Sequence, residues 1–425
     1  MVTTTTFDQL AATISNNAAI ASTYLRQNNL PMPSLANGQA LDTNAFPPEI
    51  QTACRLLQDA SLELHELVQG PRAILMNFST NAKADAATIF QFAIPQKIPL
   101  DDPEGIAYAE LAQQTGIGQS ALETILRAAI LYRIFREPSK GRIAHSAASR
   151  LWATDPVLND VLGLKILDNG LHVQFIAQAL ARYPQADEPA DSAASVLHAA
   201  LEGKQQRSTW FEILERESAR SGRARTAMNM IDKRDGVSLR HMVNGYDWAS
   251  LPEGSLVVDL GGGHGDAAVA IASKFPHLKF LVQDLPQTIA TAPKITHLPV
   301  EFLAHSFLDA QPTKGAKVYL FRWVFHNWPD KYCIRILKTL IPALDKGARV
   351  LIMDSVMPPV GGVPLALERE KRYMDLVMLA NFNARDRPAE AYGSLFAKAD
   401  KRFEFLGIKS IEGSELSFIE ASWSG

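Results

Sequence analysis

The chain has 425 residues, 47% of them hydrophobic and 20% charged, with a formal net charge of −3; two or three globular domains fit this, and intrinsic disorder or a global attraction to nucleic acid or anionic membranes does not. Cys54 and Cys333 lie too far apart in the sequence to suggest a zinc cluster, and two cysteines exclude a disulfide framework, so no metal site is expected. Met1–Thr6 lacks the basic and apolar regions of a leader, and no stretch approaches the roughly 20 apolar residues that span a bilayer, so cytoplasmic residence without a membrane anchor is the expectation.

Residues 7–28 carry Leu10, Ile14, Ala18, Ile20, Tyr24 and Leu25 at helical spacing. A loop rich in Pro, Ser, Asn and Gly runs from Leu30 to about Pro48. Helical spacing resumes with Ile50, Cys54, Leu56, Leu57, Leu62 and Leu64, and Pro71 opens the short segment Ala73–Met76. These helices hold more apolar residues than one small layer needs, which predicts packing on a second copy of the chain in a homodimer.

Residues 103–145 read as a helix-turn-helix followed by a wing. Tyr108–Ala112 lies in the first helix, Thr115–Gly118 forms the turn, and Ser120–Tyr132 forms the second helix with Leu122, Ile125, Leu126 and Ala129 on one face. Phe135–Glu137 and Arg142–Ala144 make the hairpin. A DNA-reading helix needs basic and amide groups reaching base edges. This helix offers only Gln119, Thr124 and Arg127, so the unit is expected to serve packing and not nucleic acid.

Residues 149–250 alternate helical and polar stretches, with a surface loop from Pro184 to Ser192. From 255 onward the expected order is strand 255–260, helix 265–275, strands 279–283, 300–304 and 317–321, helix 330–345, strand 349–354, helix 365–381, and strands 403–410 and 416–422. This predicts a doubly wound α/β domain whose ligands sit at the carboxyl ends of the strands.

The most informative stretch is Asp259-Leu260-Gly261-Gly262-Gly263-His264-Gly265, entered from the apolar run Leu256–Val258. A buried strand turning through glycines into a helix lets the backbone approach a ligand closely. The next strand ends at Asp284, an acid placed to meet a ribose diol. The dinucleotide fingerprint is not met, because Asp266 stands where its third glycine belongs and would repel a pyrophosphate. The form present, D-x-G-x-G-x-G, resembles motif I of S-adenosylmethionine (SAM) methyltransferases.

Three more segments extend the resemblance: Tyr319–Trp328 with His326-Asn327-Trp328, Val350–Pro358 with Asp354, and Met374–Ala380 followed by Arg385-Asp386-Arg387. With the glycine turn and the winged helix, they resemble the caffeic-acid-type O-methyltransferase family, in its fungal secondary-metabolism branch. The resemblance spans about residues 85–425. It implies a Rossmann-like SAM-binding domain at 149–425 and an all-α, winged-helix dimerisation domain at 1–148.

The resemblance also implies roles. His326 is the general base and Asp354 and Asp386 bracket it, a task that suits an imidazole whose unperturbed pKa is near 6.5. Asp259, Gly261 and Gly263 cradle the methionine part of SAM, Asp284 holds the ribose, and Ser306, Phe307 and Arg322 complete the cofactor site. Met228 and Met378 line the pocket of a small-molecule substrate. Ser306 departs from the family, which usually carries an acid there; a hydroxyl accepts a hydrogen bond without the charge-assisted part. The same branch contains leporin-type pericyclases that bind SAM without methylating. His145 matches a functional histidine of those enzymes, whereas His326 stands where the leporin enzyme has arginine. Two readings therefore stay open: an O-methyltransferase acting on a phenol, enol or pyridone hydroxyl, and a pericyclase on the same scaffold.

Overall fold

The computed structural model describes residues 6–34, 45–79, 85–232 and 234–425. Most of the expected Leu30–Pro48 loop and nearly all of the Met1–Thr6 start lie outside them. Contacts divide the chain into two compact units, one formed by residues up to Leu167 with Gly361–Glu370, the other by Asp168–Val360 with Lys371–Gly425. This division falls later than the boundary expected after residue 148.

In the first unit, Phe7–Gln27 is one helix. Thr6 starts it with a reciprocal cap, its hydroxyl accepting the Gln9 N–H while the Gln9 side chain accepts the Thr6 N–H. Pro48–Ser79 is helical on both sides of Gly70, whose φ of 72° breaks the run just before Pro71, the residue from which a new segment was expected.

Strand β1 (Ile106–Ala107), the helices Tyr108–Thr115 and Gln119–Leu131, and strands β2 (Phe135–Arg136) and β3 (Arg142–His145) follow. The sheet order is β1-β3-β2, antiparallel throughout. Leu122, Leu126 and Ala129 of the second helix are fully buried with Tyr108, Leu111 and Ile143. Arg127 on the same helix is paired with Glu123 at 3.0 Å and Glu137 at 3.2 Å, so its charge is satisfied locally.

The second unit holds a seven-stranded sheet: β4 (Leu256–Leu260), β5 (Lys279–Asp284), β6 (Val300–Ala304), β7 (Val318–Arg322), β8 (Arg349–Ser355), β9 (Phe403–Ser410) and β10 (Leu416–Trp423). Its order is β6-β5-β4-β7-β8-β10-β9. Strands β4 to β8 are parallel, and β10 runs antiparallel to β8 and β9. Successive residues feed opposite cores: Tyr319 and Phe321 of β7 join Val350 and Ile352 of β8 on one face, Val318 and Leu320 join Leu351 and Met353 on the other. Burial on both faces is why these strands read as continuous apolar runs.

The chain leaves β4 for β5 and β6 on one side and returns to β7 on the other. That reversal opens a crevice at the carboxyl ends of β4 and β7. The expected surface loop at Pro184–Ser192 ends differently: Ser192 is buried and caps the helix Ala193–Leu201, whose Ser195 N–H its hydroxyl accepts. A helix start needs that acceptor, so the segment closes inward. No helix among the described residues is long and apolar enough to cross a membrane.

Candidate active site

The glycine turn leaves β4 with three left-handed residues, Gly261 (φ 70°), Gly263 (φ 58°) and Gly265 (φ 85°). A Cβ on Gly261 would lie 3.0 Å from Val324 and 3.2 Å from Phe307, so those two side chains flank the turn closely. The Gly263 N–H donates to Asp284 Oδ2 at 2.9 Å and the Leu285 N–H to Oδ1 at 2.7 Å. The Asp284 carboxylate at the end of β5 is thus fixed by backbone on both oxygens.

Asp259 is 1% exposed, and neither carboxylate oxygen has a hydrogen-bond partner. Burial pushes its pKa up to about 7 against the nearby positive charge of Arg322. Arg322, at the end of β7, donates to the Val237 carbonyl at 2.9 Å. The Ser306 hydroxyl accepts the Leu308 N–H at 3.2 Å, and the preceding His305 N–H reaches the Asp284 carbonyl at 2.9 Å. The loop after β6 is therefore laid against the end of β5.

The second group forms where β7 and β8 end. Phe325–Asn327 is a single 3₁₀ turn carrying His326. Its Nδ1 lies 3.7 Å from Asp354 Oδ1 and 3.5 Å from Asp386 Oδ1. Asp354 is fully buried; its Oδ2 accepts the His326 backbone N–H at 3.0 Å and its Oδ1 the Ser355 N–H at 2.9 Å. One carboxylate thus anchors the turn and faces its ring. Burial lowers the His326 pKa, but the carboxylates of Asp354 and Asp386 outweigh it and hold the value above that of an ordinary histidine. Burial likewise raises Asp354.

Trp323 sits at φ 57°, a left-handed conformation that costs a bulky residue about 1–2 kcal/mol. Its N–H donates to the Met353 carbonyl and its carbonyl accepts from Asn327 Nδ2, which hold it there, and its ring lies 4.9 Å from that of His326. Such strain beside titratable groups is characteristic of sites where geometry serves chemistry.

The remaining sequence candidates are placed as follows. Met378, on the helix Leu365–Phe382, is 7% exposed, and Met228, on Ser218–Asp232, is 50% exposed. His145 lies in the first unit with both ring nitrogens engaged, Nδ1 with Ser149 Oγ at 3.0 Å and Nε2 with the Ile98 carbonyl at 3.1 Å. Burial lowers its pKa. Two residues that sequence reasoning did not assign to the site also shape it. Asp375 accepts the Asp386 backbone N–H at 2.8 Å, and Arg387 is fully buried behind the His326 turn. Arg385-Asp386-Arg387 stood out in the sequence, but nothing in it says that the second arginine turns inward.

Among the described residues, two clusters bring three potential metal-ligand atoms within 4.8 Å of one another: His326 with Asp354 and Asp386, and His198 with Glu202 and Glu217. In the second cluster the glutamates already pair with Lys204, Arg216 and Arg220.

Comparison with known proteins agrees with this architecture. An O-methyltransferase domain model matches residues 201–401. The O-methyltransferase pgmB of Aspergillus terreus is 33% identical over 437 residues, covering 99% of this chain and 97% of the relative. A chlorophenol O-methyltransferase of Trichoderma longibrachiatum is 34% identical over 427 residues, covering 97% and 89%. Among solved structures, LepI in complex with SAM matches with a TM-score of 0.65 at 21% identity, over 97% of this chain and 100% of that one.

The fold and the identities define a class I methyltransferase, and the chain belongs to the SAM-dependent O-methyltransferase family. SAM is accordingly its cofactor. The residues present suit that ligand: a buried acid without a hydrogen-bond partner ends β4, the left-handed glycines 261, 263 and 265 carry no side chain there, and a fixed carboxylate stands one strand away.

Proposed function

We propose that this enzyme methylates a hydroxyl group of a small secondary metabolite of phenol, enol or pyridone type, with His326 as general base. The observation that carries the reading is the flanking of His326 Nδ1 by two buried carboxylates at 3.7 and 3.5 Å. With Nδ1–H directed at Asp354 and Asp386, the lone pair is on Nε2, free to take the hydroxyl proton. The carboxylates then stabilise the imidazolium that forms. Bound SAM supplies an electrophilic methyl group; the chain's own work is to align the acceptor oxygen and remove its proton.

Asp259, Gly261, Gly263, Asp284, Ser306, Phe307 and Arg322 would hold the cofactor. Met378 and Met228 would line the substrate pocket, where a flexible thioether adapts to flat rings. The name of the chlorophenol relative supports a phenolic acceptor. Exposed Ile20, Leu56, Leu67 and Val68 on the N-terminal helices support assembly as a homodimer.

The test uses labelled SAM with phenols, enols and 2-pyridones. A gain of one CH₂ is expected, with turnover rising with pH through a His326 pKa above the ordinary one. His326→Gln should cut turnover by roughly 10²–10⁴-fold at unchanged cofactor affinity. An isomeric or dehydrated product carrying no label would replace this reading with a pericyclic one.

A further inference from the structure

We infer that Arg387 is a positioning residue that sets where the base His326 stands, an inference that rests on the function proposed above. Arg387 is fully buried, and its side chain is spent on one turn. Nη1 donates to the Phe325 carbonyl at 2.7 Å and Nη2 to the Trp328 carbonyl at 2.6 Å. These two carbonyls bracket His326 and Asn327. Nε donates to Asp330 Oδ1 at 2.9 Å, on the first residue of the helix Asp330–Leu340 that follows the turn.

The backbone of Arg387 is held as well. Its carbonyl accepts the Met357 N–H at 2.9 Å, just beyond the end of β8, the strand that carries Asp354. Its neighbour Asp386 is itself the second carboxylate facing His326. One residue therefore ties together the turn bearing the base, the strand bearing one carboxylate and the loop bearing the other.

A buried cation is costly unless every donor is paired, so a guanidinium kept here is kept for its geometry. A planar fork with fixed donor directions can brace two carbonyls and a carboxylate at once; an ammonium on a flexible stem cannot. Cys333 Sγ also approaches the same two carbonyls, each at 3.4 Å, but as a weak donor it cannot replace the fork. Small displacements of a base from its acceptor reduce rate steeply while leaving distant binding contacts intact.

The decisive variant is Arg387→Lys, which keeps the charge and removes the fork. Turnover should fall roughly 10- to 100-fold, with KM for the acceptor changed less than kcat and S-adenosylhomocysteine affinity within about twofold of the parent. The His326 ring resonance in histidine-labelled protein, assigned by its loss in His326→Gln, should move. Its titration midpoint should fall as the ring leaves Asp354 and Asp386, the charge of residue 387 being unchanged. Asp330→Asn, at a half-exposed position, releases the fork from the other side; it should give the same changes at smaller size and serves where the lysine variant does not fold. Turnover within twofold and an unmoved ring resonance in a folded variant would overturn the inference. If the parent enzyme methylates none of the acceptors, the proposed function fails, while the ring resonance still decides whether Arg387 positions His326.

Discussion

Replacing Asp284 tests the cofactor site most directly. Its two oxygens each accept one backbone N–H, from Gly263 at 2.9 Å and Leu285 at 2.7 Å. A carboxylate offers about four acceptor sites, so one lone pair on each oxygen is left for the two hydroxyls of a ribose. Asp284→Ala would remove both proposed ribose bonds and frees the Gly263 N–H that holds the turn. Charge-assisted hydrogen bonds contribute about 1.5–3 kcal/mol each, so the loss of one alone raises Kd roughly 10- to 150-fold and Kd should rise by at least that much. Asp284→Asn keeps one acceptor oxygen, enough for one backbone N–H and one hydroxyl, and turns a donor toward the other backbone N–H; its loss should be intermediate. Calorimetric titration with S-adenosylhomocysteine measures both. A folded Asp284→Ala protein binding within twofold of the parent would refute the placement of the ribose here.

Ser306→Asp restores an acid in the loop beside β5 and can still accept the Leu308 N–H; cofactor binding should tighten by about 3- to 10-fold on the same titration, a gain of the size expected when a hydrogen bond becomes charge-assisted. Asp259 has a folded pKa of about 7 against an unfolded value near 3.9, so the folded state favours its protonated form: that contribution is full below about pH 4 and is lost as pH rises through about 7. The melting temperature of the ligand-free protein should therefore fall less between pH 5 and 8 in Asp259→Asn than in the parent; parallel curves would contradict a buried, unpartnered acid. Light scattering should return about twice 46.6 kDa for the full chain, and a monomer at micromolar concentration would rule out the proposed assembly.

The parallel sheet was legible because its strands are buried on both faces. Leu256–Leu260, Val318–Arg322 and Arg349–Ser355 announce themselves by composition, and the glycines of 261–265 mark the one turn where left-handed backbone is required. The tips of these strands and of Lys279–Asp284 are legible for the same reason, so the sequence alone puts Asp259, Asp284 and Asp354 at one edge of the sheet. Local pattern said less where a residue's fate depends on a distant partner. Ser192 reads as a loop residue until the helix it caps is seen.

Arg387 is the sharper case. Arg385 and Arg387 flank the same aspartate and look equivalent in the sequence, yet Arg385 is half exposed on Asp330 while Arg387 is fully buried. What separates them is the Met357 N–H, which draws the backbone of residue 387 alongside the end of β8. That bond between segments thirty residues apart aims one guanidinium at the carbonyls around His326 and leaves the other facing solvent. Periodicity and propensity carry no record of it. Residue type can nominate His326 as a base; the bonds from Arg387 to the Phe325 and Trp328 carbonyls, on which the proposed direction of its imidazole depends, are assembled only by the folded chain.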